Sequence, residues 1–410
     1  MPYDLLLTGA TVIDPSQNLN GPYDVAITGD QIVALSDSLD GPAKQTLDLT
    51  GKILTPGWID IHAHVYAGAT TWGIKADALC LATGVTTLVD AGSPGWANFM
   101  GFKEFIADPA RTQILTFVHI SGIGLTYGPL AEMGDIRYAC VERTALVIHH
   151  WPEICVGVKV RQGKGQVEDN YTEPLRLGIE AAALVDKPVM VHIGAGVALP
   201  DVLALMRPGD IATHCYQGHG DTLIGPTRDG TDVIDAAWQA RQRGILFDLG
   251  HGGGSFNFDV AKKALAQNFP SDVISTDLHA HSLNDPVYSL PETASKVMHL
   301  GVPLADIIRQ TTSAPAAAIG RADQLGTLKP GTIADLAAFE LQQGQFIFED
   351  VHGQQEHGRQ TLQPVLTVRA GSVYRPEELK EEVEEEWRRS QLTKALNGKN
   401  FAAFGWTPGN

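Results

Sequence analysis

Thr55-Pro56-Gly57-Trp58-Ile59-Asp60-Ile61-His62-Ala63-His64 is the stretch on which the reading of this chain turns. A Pro-Gly turn opens it and an apolar run follows, as at the start of a buried strand. Side chains two apart on a strand point the same way, so His62 and His64 converge on one spot. Two convergent imidazoles are one way a strand presents a metal site. The pair alone is a weak signal.

Four later segments strengthen it. Lys159 lies in Val156-Gly157-Val158-Lys159-Val160-Arg161, His192 ends Val189-Met190-Val191-His192, His214 ends Ile211-Ala212-Thr213-His214, and Asp277 ends Val273-Ile274-Ser275-Thr276-Asp277. Each polar residue closes a short apolar run, as buried parallel strands do. A solvated strand terminus explains any one of them. Five strand ends of this kind together form the layout of an α/β-barrel active face.

Strand patterns fall near 58–63, 86–91, 113–120, 155–160, 189–193, 211–215, 245–249 and 273–277, with helical patterns such as 233–243 and 258–267 between them. Such alternation predicts an α/β fold, a (β/α)8 TIM-type barrel over residues 55–327. Residues 1–54 and 328–376 read as short strands, with Gly29-Asp30 as a hairpin turn. Neither stretch can bury a core alone. Both ends are therefore expected to pair into one small β-sandwich. Residues 377–410 read as an acidic helical extension, with seven Glu and one Lys in 377–386. Phe401, Phe404 and Trp406 are expected to dock on the barrel or on a neighbouring subunit, and a homo-oligomer is expected.

The chain has 410 residues, 44% of them hydrophobic, and a formal charge of −17 from 30 basic and 47 acidic residues. Nucleic acid needs a positive footprint, so no nucleic-acid partner is expected. No run approaches the ~18 apolar residues of a membrane span, and no signal-peptide pattern is evident at the start. Cys80, Cys140, Cys155 and Cys215 form no CxxC pair, which fits reduced thiols and a cytoplasmic location. Cys215 follows His214 and is turned away from it, as a packing residue.

The order of these motifs resembles the amidohydrolase superfamily: HxH on strand one, Lys on strand four, His on strands five and six, Asp on strand eight. The resemblance covers nearly the whole chain. It includes Leu6 to Asp14, Leu54 to Asp60 and Gly326 to Leu336. It implies a binuclear hydrolase with two divalent metal ions, zinc first among them. His62, His64 and Asp277 would hold one ion, His192 and His214 the other, and a carboxylated Lys159 would bridge them. An unmodified Lys159 paired with a carboxylate is the alternative. Asp277 would also be the catalytic proton shuttle.

Candidate substrate-binding residues are Arg161, Tyr127, Gly253 and His281. Arg161 shares the inward face with Lys159 and is either a carboxylate clamp or a barrel-end salt bridge. Gly253 belongs to the run Gly250-His251-Gly252-Gly253-Gly254-Ser255, an anion cradle or an ordinary loop. Tyr127 lies in a long loop, 121–134, a candidate lid. His281, two residues beyond His279, reads as support behind Asp277. His119 reads as a hydrogen-bonded core histidine.

Within the superfamily the chain is similar to the dihydroorotase-like group, some of whose members deacetylate N- or O-acetylated α-hydroxy or α-amino acids. Tyr66 stands where dihydroorotases usually carry Arg, and Ala195 stands where deaminases usually carry the Glu of HxxE. The resemblance therefore implies deacetylation of a small acetylated acid. Cyclic amide hydrolysis of the dihydroorotase or hydantoinase kind is the alternative, and a non-catalytic scaffold is the reading from another class.

Overall fold

The computed structural model describes residues 2–220, 222–225 and 230–397. Phe401, Phe404 and Trp406 lie outside the described residues. Among those described, no helix is long and apolar enough to cross a membrane.

Five strands lead into the barrel: β1 (Tyr3–Asp14), β2 (Leu19–Thr28), β3 (Gln31–Ser36), β4 (Ala43–Asp48) and β5 (Ile53–Pro56). Seven follow as the barrel sheet: β6 (Trp58–Ala63), β7 (Val85–Gly95), β8 (Gln113–His119), β9 (Cys155–Gln162), β10 (Val189–Ile193), β11 (Ile211–Thr213) and β12 (Leu246–Asp248). They pair in sequence order, all parallel. Helices such as Val141–His150, Glu173–Ala183 and Asp235–Gln242 fill the crossovers.

The alternation expected of barrel strands is visible in the packing. Leu115, Phe117, Met190 and Ile211 share one cluster with Ile59, Ile61 and Val89 inside the sheet. Val158, Val160, Val189 and Val191 face the other way, into the layer beneath the helices. Lys159, Arg161 and His192 therefore stand on the inward face.

The eighth segment departs from the expectation. Residues 273–277 are not a regular strand, though they bridge both edges of the sheet. Val273 pairs with Asp248, Leu278 pairs with Ala63, Leu249 N donates to Val273 O at 3.0 Å, and His64 N donates to Leu278 O at 2.9 Å. Two local causes interrupt the ladder. The Asp60 carboxylate takes the Thr276 N–H at 3.1 Å and its hydroxyl at 2.6 Å. Asp277 adopts a φ of 47°, outside extended geometry. His214, with a φ of 74°, likewise ends β11 two residues before the 215 expected.

Both chain ends meet in a single sheet. With β13 (Leu336–Glu349), β14 (Gln355–Arg369) and β15 (Ser372–Tyr374), its order is β15-β14-β13-β5-β1-β2-β3, with β4 beside β1. Leu7, Val12 and Ile27 share a core there with Leu336, Leu366 and Val368. The turn at Gly29 joins β2 to β3, as its sequence indicates. Hydrogen bonding thus makes one continuous eight-stranded sheet, whereas two stacked sheets were expected. The helix Lys380–Asn397 runs along the barrel, where its Glu386 accepts from Lys75 N at 2.9 Å and its Arg389 donates to Gly73 O at 2.7 Å.

Candidate metal centre

The strand ends converge as the spacing indicates. His62 Nε2 lies 3.4 Å and His64 Nε2 3.2 Å from Asp277 Oδ1, and His214 Nε2 is 3.9 Å from Asp277 Oδ2. Ligand atoms of His62, His64 and Asp277 all fall within 4.8 Å of one another. Lys159 Nζ is 3.2 Å from His62 Nε2, and the His192 and His214 rings meet edge to face at 4.4 Å.

A β-bulge makes this possible. Register shifts between Asp60 and Ala63, so Ile61 stays in the barrel core while His62 also turns inward. Strained backbone aims two other members. His214 and Asp277 both hold positive φ, a conformation that costs on the order of 1–3 kcal/mol and persists only where the surroundings enforce it. Glycine clears the space behind two of them. A Cβ on Gly92 would stand 2.5 Å from the Lys159 Cβ, and one on Gly252 would stand 2.3 Å from Asp277 Oδ2.

Outer partners set the imidazole tautomers. The Thr213 hydroxyl donates to Asp248 Oδ2 at 2.7 Å, so its oxygen is left to accept from His62 Nδ1 at 3.0 Å. That leaves the His62 Nε2 lone pair facing the centre. Gly250 O can only accept, so His214 Nδ1 donates to it at 2.7 Å, and His214 Nε2 also offers a lone pair. This atom is buried and has no hydrogen-bond partner among the described residues. His64 Nδ1 bonds Ser93 Oγ at 3.0 Å, and Ser93 N donates to Asp90 Oδ1. Such supports orient metal-binding histidines.

Asp248, Asp90, Thr213 and Ser93 were missed in the sequence. Asp90 and Asp248 did carry a signal, because each is an acid that directly follows apolar residues within a barrel strand.

Lys159 is 1% exposed, and among the described residues no carboxylate oxygen lies within the 4.0 Å of an ion pair. Burial pushes its amine down to about 7. The donor set fits divalent ions: buried neutral imidazoles, one carboxylate, an orphaned nitrogen and an amine with no carboxylate at ion-pair distance among the described residues.

Arg161 makes the salt bridge that was one of its two readings. Its Nε and Nη2 both donate to Glu132, at 2.7 Å each, and His119 Nε2 lies 3.5 Å from the same carboxylate. An internal acid thus takes the Nε/Nη2 edge of the guanidinium, while Arg161 also lines the cavity over the centre. Burial pushes the Glu132 carboxyl up, but the charge and hydrogen bonds of Arg161 together with His119 outweigh it and hold the group at about 2. Glu132 sits in a loop without periodicity, so nothing local announced it.

A cavity of about 260 Å³ opens over the centre. It is lined by His64, Trp72, Leu125, Lys159, Arg161, His192, residues 253–255, Asp277 and His279. Gly253 is thus at the cavity. Tyr127 is not: it is 49% exposed on the outside of its loop. His281 also stays out, packed behind Trp72 at 5.2 Å, while His279 takes the lining position 4.0 Å from Asp277 Oδ2. With residues 273–281 outside any regular strand, parity could not choose between the two. Tyr66 points elsewhere, its hydroxyl donating to Asn98 O. Cys215 packs in the outer core.

Buried imidazoles give the metal-free protein an acid limit. Burial pushes His62, His64 and His192 well below the usual 6.5, His214 to about 4 and His279 to about 3. A folded-state pKa below the unfolded one favours the unfolded state on protonation. Stability is therefore full above 6.5 and declines as pH falls toward the folded values, by up to about 1.4 kcal/mol per pH unit for each group. The urea midpoint of metal-stripped protein should drop clearly between pH 7.5 and pH 5. A flat midpoint over that range would contradict the neutral, buried state of these rings.

A description of the amidohydrolase family matches residues 256–373. A protein from Agrobacterium fabrum (strain C58) named as a deacetylase is 36% identical over 326 residues, 79% of this chain and 79% of that protein. The chain belongs to the amidohydrolase family. Two solved structures are similar to this amidohydrolase at TM-scores of 0.85 and 0.83. The first, described as an adenine deaminase, is 33% identical and covers 91% of this chain and 100% of its own. The second, described as a dihydroorotase, is 32% identical and covers 90% and 98%. Amidohydrolases of this kind are hydrolases, and the centre at His62, His64 and Asp277 gives this one a possible divalent-metal site.

Proposed function

We propose that this amidohydrolase removes the acetyl group from a small N- or O-acetylated α-amino or α-hydroxy acid. The alignment with the deacetylase over 79% of both chains carries this reading. Lys159 would be carboxylated: its ammonium, pushed down to about 7 by burial, gives up one proton, the free amine adds to the carbon of CO2, and the adduct gives up a second proton, so that +1 becomes −1. His62, His64 and Asp277 would hold one divalent ion, His192 and His214 a second, with the Lys159 carbamate between them. Two such ions, zinc by their His and carboxylate donors, would supply a hydroxide at neutral pH and a polarised carbonyl.

The chain's own groups do the rest. Asp277 faces the cavity and is placed to take a proton and return it to the leaving group. Trp72 and Leu125 form an apolar wall, and Gly253 and Gly254 let a substrate approach the backbone closely. Glu132 fixes the Nε/Nη2 edge of Arg161, so the guanidinium is held rigidly in one wall of the cavity.

Adenine deamination is the second reading, favoured by the similar solved structure described that way. Ala195, three residues after His192, is the argument against it. A panel of acetylated amino and hydroxy acids in both chiral series, with adenine, dihydroorotate and hydantoins, separates the readings. An acetylated acid should give the highest kcat/KM. Faster turnover of adenine or of a cyclic amide would replace the proposal.

A further inference from the structure

Lys296, on the helix Leu290–His299, is fully buried and belongs to no part of the centre. An ammonium has three protons, and three acceptors surround this one. They are His251 Nε2 at 3.0 Å, Pro286 O at 3.1 Å and Glu292 Oε1 at 3.2 Å. Each comes from a different place: the glycine-rich loop after β12, the turn that follows Asp277, and the previous turn of its own helix.

The contacts lead back to the site. His251 Nδ1 is 2.9 Å from Gly252 O, which can only accept, so Nδ1 carries the proton and Nε2 receives Lys296. The His251 ring also stacks on Phe256 at 4.8 Å. Gly252 N donates to Thr276 O at 2.8 Å, and Gly252 lies so close to Asp277 that a Cβ there would meet Oδ2 at 2.3 Å. On the other side, Ser282 Oγ donates to Asp277 O at 3.2 Å, and Val287 N donates to Ser282 O at 3.1 Å. A buried charge of this kind is poor evidence for stability, because an apolar side chain of similar size often serves as well. A fixed geometry is what three directed bonds supply.

We propose that Lys296 is a positioning residue for Asp277, holding residues 250–255 and 282–287 against that carboxylate from behind. This rests on Asp277 being the proton-handling group of the proposed hydrolysis. The far end of the loop has its own anchor, since Asp350 Oδ2 accepts from Asn257 Nδ2 at 3.0 Å and from Phe258 N at 3.1 Å. Loss of Lys296 should therefore loosen the near end alone.

The test uses the full-length metal-loaded protein as wild type, Lys296→Met and Lys296→Gln. Amide hydrogen exchange reports the two segments directly. In Lys296→Met, exchange should speed up in 250–255 and 282–287 and stay unchanged in β7 to β10. kcat should fall by about ten- to a hundredfold with KM within about twofold, the scale expected when a reacting group is slightly misplaced. Lys296→Gln keeps N–H donors for His251 and Pro286 and should recover part of both effects. It also decides the matter if the Met variant does not fold. Unchanged exchange in both segments, or faster exchange spread evenly through the barrel, overturns the proposal. A wild type that hydrolyses no acetylated acid overturns the deacetylase reading instead, and the exchange pattern then decides the role of Lys296 by itself.

Discussion

Lys159→Ala should fold and yet lose turnover by about a thousandfold or more, together with most of its bound metal. A single preorganised group at a reacting centre is worth about a hundred- to a thousandfold, and a bridging ligand also sets the ions. Wild-type protein should carry about two equivalents of divalent metal per chain, and the variant less than one. Two features of the chain make Lys159 the place for this effect. Its amine is 1% exposed, with no carboxylate at ion-pair distance among the described residues. Its nearest polar neighbour is the lone-pair nitrogen of His62, at 3.2 Å. An ammonium there would have no carboxylate at ion-pair distance among the described residues, whereas a carbamate would place an anion amid four imidazoles. Protein equilibrated with 13C-labelled bicarbonate should show a carbamate carbon resonance that Lys159→Ala lacks. Full metal content and normal turnover in the variant, or no carbamate signal in the wild type, would exclude the bridging role.

Asp277→Asn should keep at least one metal equivalent and lose several orders of magnitude in kcat. The substitution preserves shape and removes charge and basicity. General acid–base catalysis contributes about a hundred- to ten-thousandfold, and an electrostatic role adds to it. The geometry explains why no neighbour should take over. Asp277 Oδ1 lies 3.2 and 3.4 Å from two imidazole nitrogens, and its backbone is held in a left-handed conformation. His279, 4.0 Å from Oδ2, is pushed down to about 3 by burial and is a weak base. Turnover within tenfold of wild type would remove Asp277 from the proton path.

What could be read along the chain was whatever depends on local alternation. His62, His64, Lys159, His192, His214 and Asp277 each close an apolar run. Strand parity and parallel pairing carry such residues to one end of a barrel with little further information. Side chains outside regular strands were not legible in that way. The bulge between Asp60 and Ala63 lets Ile61 and His62 both face inward, and it arises only when β6 pairs with β7. Asp60 takes the Thr276 backbone N–H, so the eighth segment is irregular and parity no longer chooses between His279 and His281. Glu132 reaches Arg161 from a loop 29 residues away and takes one edge of its guanidinium. Tyr127, on the same loop, faces outward. Alternation is a property of the strand itself, so the sequence by itself determined which segment ends carry the six residues, while the bulge at His62 and the positive φ of His214 and Asp277 aim three of them. The bulge, the Asp60 contact and the Glu132 clamp join segments distant in the chain, so only the tertiary structure decided what surrounds them.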